Sequence, residues 1–508
     1  MKMTHMFAIC VAIVGIGCSN KSDPGDDTQV TTVTDTTTDP QCDTTTSTET
    51  STETSTETST EVEPIDPSDR VVVGYFSSWA TYYRKYYVYR EPVTTIDTPR
   101  QPNFIPEGKY THIQFAFLNI SPDGECMIGD PWADDTVKYD PNYTGYWDDT
   151  GHGSLAEFRQ FKEDHPDVKI LFSVGGWTWS QNFSDVALTQ QSRATFINSC
   201  IALMNEHGFD GIDLDWEYPG GGGVDASVCD QGHDPCTNEQ KWDAANNISG
   251  TEIYFDLNPG VCRTCRPQDG DNYVELLAEF REALPEGKLL TVAVGTPPDR
   301  IADMNLSEMH QHLDWVGLMT YDYHGSWDSQ TGFNTPMDAN DGLGFSVTEA
   351  VNNFISAGVP RNKIVIGGAF YGRGWGGVTN LNNGLGQSGS PLVYTGTAPT
   401  VQGLEQDGIT VGSWEAGTWD YRHLSEVYLE SDGITAKNGY TRYWDNTAQA
   451  PWLYSPTDEI FISYDDAQSL EIKGNYIRDE QLKGLIIWDM SSDSLNEVLI
   501  DAIHQGLQ

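Results

Sequence analysis

Positive charge and long hydrophobic runs are both scarce in this chain of 508 residues. It has 28 Lys and Arg against 75 Asp and Glu, a formal net charge of -47. Such a chain lacks the basic surface with which proteins bind the phosphate backbone of nucleic acids. Its only continuous apolar run, at 7–17, is about half of the roughly 20 residues that a membrane-spanning helix needs. We therefore expect neither a nucleic-acid partner nor a spanning helix.

Residues 1–18 follow the plan of an export signal, with one Lys near the terminus, a short apolar stretch and small residues before Cys18. The ending IGCSN resembles a bacterial lipoprotein signal, in which Cys18 is lipidated. We expect an exported lipoprotein at the outer membrane or cell surface, which contacts the membrane only through this anchor. Cleavage and secretion into the medium is the alternative.

Residues 19–69 are rich in Thr, Ser, Asp, Glu and Pro and contain a repeated TETS unit. A segment of this composition buries too little apolar surface to offset its chain entropy. We expect a disordered acidic linker that holds the folded part away from a surface.

Four cysteines fall within one Gly- and Asn-rich segment that follows the fourth predicted strand. In an exported protein such a group most simply forms two disulfides, and the sequence leaves three connectivities open. A four-thiolate zinc site is the alternative, and we expect no metal. The four residues are Cys229, Cys236, Cys262 and Cys265.

Short β-rich apolar runs alternate with stretches of helical spacing through the rest of the chain. Helices are predicted at 154–164, 191–207, 272–284 and 347–357. Eight buried strands, most followed by a helix, favour an α/β fold of the (β/α)8 TIM-barrel type over an open sheet. No GxGxxG loop follows the first strand, which further disfavours a nucleotide-binding sheet. The runs begin at Val71, His112, Lys169, Gly211, Leu289, Trp315, Lys363 and Gly484.

The interval between the seventh and eighth predicted strands is too long for a loop. Residues 376–459 contain Gly, Asn and Thr punctuation with several Trp and Tyr, which predicts a small α+β insertion. The barrel then comprises 70–375 and 460–508. Since barrel chemistry lies at the carboxyl ends of the strands, the insertion should form a wall of the site.

The motif DGIDLDWEYP begins at Asp210 and ends the fourth predicted strand. Because alternate residues of a strand share a face, Asp213, Asp215 and Glu217 should form a row with about 6.7 Å between successive Cα atoms. Like charges this close favour retention of a proton, which suits a general acid. Carboxyls that stand side by side do not flank a scissile bond, so Asp215 is expected to assist Glu217 and the substrate itself to supply the nucleophile.

DGIDLDWE matches the DxxDxDxE signature of glycoside hydrolase family 18, and the chain resembles bacterial chitinases of that family from Val71 to the end. The insertion resembles that of the deep-cleft subgroup. Further matching segments are GYFSSW at Gly74, SVGGW at Ser173 with Gly175 and Gly176, MTYDYHGSWD at Met319, AFYGRGW at Ala369 and WEAGTWDYR at Trp414.

The resemblance implies a retaining, substrate-assisted reaction. Glu217 would protonate the glycosidic oxygen while the acetamido carbonyl of the bound sugar attacks its own anomeric carbon to form an oxazolinium ion. Asp215 would orient the acetamide, Asp213 would share a proton with it, and Tyr321 would hydrogen-bond the carbonyl. Asp210 would be structural. The resemblance implies no cofactor.

Sugars have apolar faces that stack on aromatic rings, so a polysaccharide groove should be lined with them. By the resemblance, Trp488 forms the floor under the reacting sugar. A surface path for the polymer would extend along Trp132, Trp147 and Trp179. The other expected substrate-binding residues are Asp322, Arg373, Trp327, Trp177, Trp79, Tyr82, Glu415 and, as a packing residue or a contact, Met319.

The predicted function is hydrolysis of β-1,4 bonds between N-acetylglucosamine units, with chitin and chitooligosaccharides as partners of a monomeric enzyme. One alternative is an endo-β-N-acetylglucosaminidase that acts on N-glycans. The other is a noncatalytic chitin-binding lectin, a class that typically lacks the acid that Glu217 supplies here.

Overall fold

A computed structural model of the protein shows the arrangement of the folded part of the chain. The predicted signal, most of the linker, the group of four cysteines and Trp147 lie outside the residues that it describes. The described ranges are 65–83, 86–87, 103–136, 153–220, 266–339, 345–396, 403–406 and 408–508.

A closed sheet of eight parallel strands forms the centre of the protein and confirms the predicted barrel. Each strand pairs with its neighbour in chain order, and the first pairs with both the second and the eighth, which closes the sheet. The strands are continuous apolar runs because both faces are buried. Their bounds are Val71–Ser77, His112–Ile120, Lys169–Gly175, Gly211–Asp215, Leu289–Gly295, Trp315–Met319, Ile364–Ala369 and Gly484–Trp488.

Helices follow most barrel strands, and the four predicted helices are confirmed to within three residues at each end. None of the helices in the described ranges combines the length and the apolar character that crossing a membrane requires. The longer helices are Gly153–Asp164, Gln190–His207, Asp269–Ala283, Val347–Ser356, Ala467–Asp479 and Val498–Leu507. The shorter helices are Ala80–Tyr83, Gly176–Trp179, Phe183–Leu188, Pro298–Ala302, Leu306–Met309 and Tyr421–Val427.

A second, antiparallel sheet lies between the seventh and eighth barrel strands. Its first and last strands in the chain lie just outside the predicted limits 376 and 459, so the sheet includes residues on both sides of the predicted insertion. The local pattern predicts a strand but not its partner, and these two strands pair with each other across about 90 residues of chain. In spatial order the strands are Thr418–Asp420, Tyr371–Trp375, Ile460–Tyr464, Ala450–Ser455 and Thr441–Asp445.

The remaining strands are short. A strand at Cys126–Ile128 adds antiparallel to the second barrel strand. Two further pairs each have only two residues per strand. Those pairs are Tyr86–Tyr87 with Asn103–Phe104, and Glu405–Gln406 with Ile409–Thr410.

The end of the predicted linker differs from the structure. Pro67–Asp69 forms a 3-10 turn that Asp66 caps by accepting the Ser68 amide at 2.9 Å. The Ile65 amide donates to the Gln481 side chain at 2.9 Å. A local turn and one long-range contact thus give structure to residues 65–69, which composition alone assigned to the linker.

A disulfide joins Cys126 to Cys200 and was not foreseen from the sequence. It ties the added strand Cys126–Ile128 to the helix Gln190–His207, whose neighbouring Ser199 also accepts the Cys126 amide at 2.9 Å. The two cysteines are 74 residues apart, so spacing gave no reason to pair them.

Candidate active site

The acidic row lies at the carboxyl end of the fourth barrel strand. Asp213 and Asp215 point into the barrel at the end of this strand, with 0% and 3% of their surface exposed. Glu217 follows two residues later and is half-buried. The apolar side chains that alternate with the acids, Ile212, Leu214 and Trp216, pack into the hydrophobic core. The predicted alternation therefore directs the acidic side chains to one face of the strand and the apolar side chains to the other.

Asp213 is held by three hydroxyls from three other barrel strands. The Tyr75 hydroxyl donates at 3.1 Å and Ser173 at 2.7 Å to one carboxyl oxygen, while Thr291 donates at 2.6 Å to the other. Burial raises the pKa of Asp213, and these hydrogen bonds oppose the rise. The result is a fixed acidic group directly below Asp215.

Burial raises the pKa values of both Asp215 and Glu217. Burial raises the pKa of Asp215 well above its ordinary value, and the charges of Glu217 and Asp213 raise it further. Burial also raises the pKa of Glu217 to about 7, a hydrogen bond from Tyr218 opposes this, and the charge of Asp322 adds to it. Glu217 can therefore hold a proton near neutral pH, as a general acid must.

One oxygen of the Asp215 carboxylate can accept a hydrogen bond from a ligand. Its Oδ1 is buried and has no hydrogen-bond partner among the described residues. A buried carboxylate oxygen normally has a donor, and leaving it without one costs about 1–3 kcal/mol or more. The atom is thus available to a donor that a ligand would bring.

The glycines of SVGGW let the third barrel strand approach the acidic row. Gly175 has φ 103°, and a side chain there would lie 2.5 Å from the Asp215 carbonyl oxygen. Gly176 has φ 69°, and a side chain there would lie 2.6 Å from the Phe117 ring. Both positions combine a left-handed backbone with a close contact, which only glycine meets without strain.

The ends of the sixth and seventh barrel strands supply a second polar group. Asp322 accepts hydrogen bonds from the Tyr371 hydroxyl at 2.7 Å and from two Arg373 nitrogens at 2.7 and 2.9 Å. The adjacent Tyr321 is buried, and both burial and the charge of Asp215 raise its pKa well above 10. Its hydroxyl therefore stays protonated and can donate.

Trp488, at the end of the eighth strand, lies among aromatic rings. Ring centroids are 5.4 Å away for Tyr75, 5.6 Å for Phe117 and 6.2 Å for Trp79. Met319 packs against the same cluster and is partly buried. Trp488 itself is only half-buried, so part of its ring remains available beside the acids.

Other predicted aromatic residues lie at the surface. Trp177 is 42% exposed, and Trp327 is 58% exposed with the Arg373 guanidinium 5.2 Å from its ring centroid. Tyr82 stacks on Trp132 at 5.0 Å, and its hydroxyl donates to Asp130 at 2.8 Å. These exposed rings can contact a ligand that extends beyond the acidic row.

Asp210 lies away from the acids, whereas the charge of Glu415 acts on Arg373 and Trp179 packs against the same cluster as Trp488. Asp210 is at the opposite end of the fourth strand, where it pairs with Lys162 and accepts the Ile170 amide at 3.0 Å. Glu415 lies in the insertion and accepts from Thr418 at 3.3 Å. Trp179 packs as a partly buried side chain against a core cluster.

Several residues of the site were not singled out from the sequence. Tyr75 lies within the matched segment GYFSSW, and Thr291 is the only polar residue in the strand LLTVAVG. An inward polar residue in an apolar strand is the signal that could have identified Thr291. Ser180, which accepts the Glu217 amide at 2.9 Å, gives no comparable signal.

A buried row of carboxyls at the carboxyl end of a closed barrel, beside half-exposed aromatic rings, defines a barrel enzyme of the glycoside hydrolase class. The sequence matches the family described as Glycosyl hydrolases family 18 over residues 71–493. The protein belongs to that family.

Individual relatives agree with this assignment. Chitinase A1 of Niallia circulans is 33% identical over 468 residues, which cover 83% of this chain and 56% of the relative. Chitinase 1 of Aphanocladium album is 29% identical, covering 85% of this chain and 84% of the relative. Among solved structures, Chitinase ChiA74 from Bacillus thuringiensis superposes with a TM-score of 0.65 at 30% identity, covering 86% of this chain and 70% of that one. The chain thus spans little more than half of the first relative.

Proposed function

We propose that this protein is a chitinase that hydrolyses β-1,4 bonds between N-acetylglucosamine units with net retention. The observation that carries the proposal is the row of Asp213, Asp215 and Glu217, in which the two aspartates are buried and Glu217 has a pKa of about 7. Relatives that match most of the chain are named chitinases.

In the proposed reaction Glu217 donates its proton to the glycosidic oxygen. The acetamido carbonyl oxygen of the bound sugar attacks the anomeric carbon, the bond to the leaving sugar breaks, and an oxazolinium ion forms. Water, deprotonated by Glu217, then opens this ion. The unpartnered Oδ1 of Asp215 supports its role as acceptor of the acetamide N–H. The protonated Tyr321 hydroxyl would donate to the acetamido carbonyl, and Asp213 would support Asp215 from below.

We propose that the half-buried ring of Trp488 forms the floor under the reacting sugar. Asp322 and Arg373 would hold its hydroxyls, because their bidentate pair lies beside Tyr321. Neighbouring sugars would stack on the exposed rings of Trp327 and Trp177, with further contacts from Trp79, Tyr82, Met319 and Glu415.

The proposed location is outside the cell. The signal-like start of the chain and its Cys18 support an exported, lipid-anchored enzyme, and the acidic Thr- and Ser-rich stretch would act as its spacer. We propose that the enzyme acts as a monomer, since its acidic row and aromatic rings all come from one chain.

The test is incubation of the purified protein with chitin hexasaccharide and, separately, with a high-mannose glycoprotein, followed by mass spectrometry. Early chitobiose and larger fragments are expected. Release of free N-glycans without cleavage of the hexasaccharide would indicate an endo-β-N-acetylglucosaminidase. Binding without turnover of either substrate would indicate a lectin.

Glu217→Gln is the informative variant because it replaces the acid with a neutral group of nearly the same size. It should retain chitin binding and lose about 10²- to 10⁴-fold in turnover. Glu286→Gln is the matched control, since Glu286 is an exposed residue just before the amino end of the fifth strand. Comparable turnover by both variants would remove Glu217 from its proposed role.

A further inference from the structure

Asp322 adopts an unusual backbone conformation. Its φ is 57°, in the left-handed region that residues other than glycine seldom enter. Such a conformation costs on the order of 1–3 kcal/mol and persists only where surrounding contacts impose it. The contacts that impose it here also determine where the Asp322 carboxylate meets Arg373 and Tyr371.

The side chain that imposes it is Asn334, in the loop after the sixth barrel strand. Asn334 is completely buried. Its Oδ1 accepts the Asp322 amide at 2.9 Å, and its backbone carbonyl accepts the next amide, that of Tyr323, at 3.1 Å. Two consecutive amides of the strained turn are therefore bound to one residue.

Asn334 also reaches the inserted sheet. Its Nδ2 donates to the Tyr371 carbonyl at 3.4 Å, and its backbone amide donates to the Ser463 hydroxyl at 2.9 Å. Tyr371 begins one strand of that sheet and Ser463 lies in the strand that pairs with it. A single asparagine thus connects Asp322 to the strand that carries both Tyr371 and Arg373.

The next residue anchors the same loop to the barrel. The Thr335 hydroxyl donates to the Thr320 carbonyl at 2.7 Å. It also accepts from Lys473 at 2.5 Å, and this fully buried lysine donates to Asp465 at 2.5 Å. The loop is therefore also fixed at the residue that follows Asn334, which leaves Asn334 little freedom to move.

We propose that Asn334 is a positioning residue for substrate binding, which acts through Asp322 by holding its backbone so that the carboxylate meets Arg373 and Tyr371. The inference rests on the proposed function, because it concerns how the sugar is held for hydrolysis. Asn334 itself is buried behind Asp322 and makes no contact with the reacting atoms.

A double-mutant cycle tests the role. Asn334→Ala, Asp322→Asn and the combined variant are compared with wild type in kcat and KM on chitin hexasaccharide. Each single variant should lower kcat/KM by about tenfold or more, because small displacements of a binding group have large kinetic effects. The combined variant should be no worse than Asp322→Asn alone, since residues that act through one another are not additive.

Two further variants separate positioning from folding. Asn438→Ala removes another asparagine bond to a backbone carbonyl, at an exposed site in the insertion, and should leave kcat and KM unchanged. Ser463→Ala removes only the hydroxyl that accepts the Asn334 amide, and should lower kcat/KM less than Asn334→Ala does. Ser463→Ala should have no further effect on kcat/KM when Asp322 is already replaced by Asn. This second cycle tests the positioning role even if Asn334→Ala fails to fold.

The outcomes are distinct. If wild type is active and the combined variant loses the product of the two single losses in kcat/KM, the positioning role is overturned. The same holds if Asn334→Ala lowers the melting temperature and leaves kcat/KM unchanged. Either result leaves the proposed function intact. A folded wild-type protein that cleaves no chitin oligosaccharide would overturn the proposed function, and this inference with it.

Discussion

The raised pKa of Glu217 predicts how activity depends on pH. A general acid works only while it is protonated, and the pKa here is about 7. The acid is then about 90% protonated at one pH unit below this value and about 10% protonated at one unit above. With the ordinary value of 4.5, only about 3% would be protonated at pH 6. We therefore expect kcat/KM to fall as the pH rises, with the midpoint of the fall near pH 7.

Two variants should move this midpoint in opposite directions. Tyr218→Phe removes a hydrogen bond that lowers the pKa of Glu217, so the midpoint should move to higher pH. Asp322→Asn removes a negative charge that raises it, so the midpoint should move to lower pH. The phenylalanine ring keeps its place under Arg300, whose guanidinium lies 4.8 Å from the Tyr218 centroid.

The assay is kcat/KM for a soluble chitooligosaccharide between pH 4 and 9, from about three units below to about two units above the expected midpoint. Because the charge of Glu217 acts on Asp215, the measured midpoint belongs to the two carboxyls together. Glu217→Gln serves as the reference that lacks this limb. A wild-type midpoint near the ordinary glutamate value, or shifts of the same sign in both variants, would refute the electrostatic account.

Three other perturbations have definite expected outcomes. Tyr321→Phe should lower kcat by about 10²-fold with little change in KM, because its hydrogen bond strengthens as the acetamide attacks; steady-state kinetics measures both. Lys473→Met should lower the free energy of unfolding by about 3–5 kcal/mol, because it leaves the buried Asp465 carboxylate without its cation; denaturant unfolding measures it. Replacing Cys126 and Cys200 with serine should lower the free energy of unfolding by about 4 kcal/mol, since their disulfide closes a 74-residue loop.

Each of these has a control. For Tyr321, the neighbouring barrel tyrosine Tyr323→Phe should change stability more than kcat, and equal kinetics for Tyr321→Phe and wild type would exclude Tyr321 from the reaction. For Lys473, the surface variant Lys437→Met should be nearly neutral. For the disulfide, a reductant should lower the stability of wild type by more than it lowers that of the double variant.

Local pattern was sufficient for much of the fold. A buried barrel strand is a short β-rich apolar run, so each of the eight strands was visible in its own segment. The alternation of the motif at Asp213 likewise separated the acids from the core, because it depends only on the period of a strand. The contact of Ile65 with Gln481 and the pairing of Tyr371–Trp375 with Ile460–Tyr464 were not visible in local pattern because the partners lie far along the chain.

The barrel, the acidic row and the aromatic character of the site can therefore be predicted from the amino-acid sequence, since they follow from periodicity and residue type within short segments. Only the three-dimensional structure shows the disulfide of Cys126, the three hydroxyls that hydrogen-bond Asp213 and the hydrogen bond between Asn334 and Asp322. Each of these joins residues that are distant along the chain or specified only by side-chain direction. Burial, which raises the pKa of Glu217, is likewise a property of the assembled barrel and not of the motif.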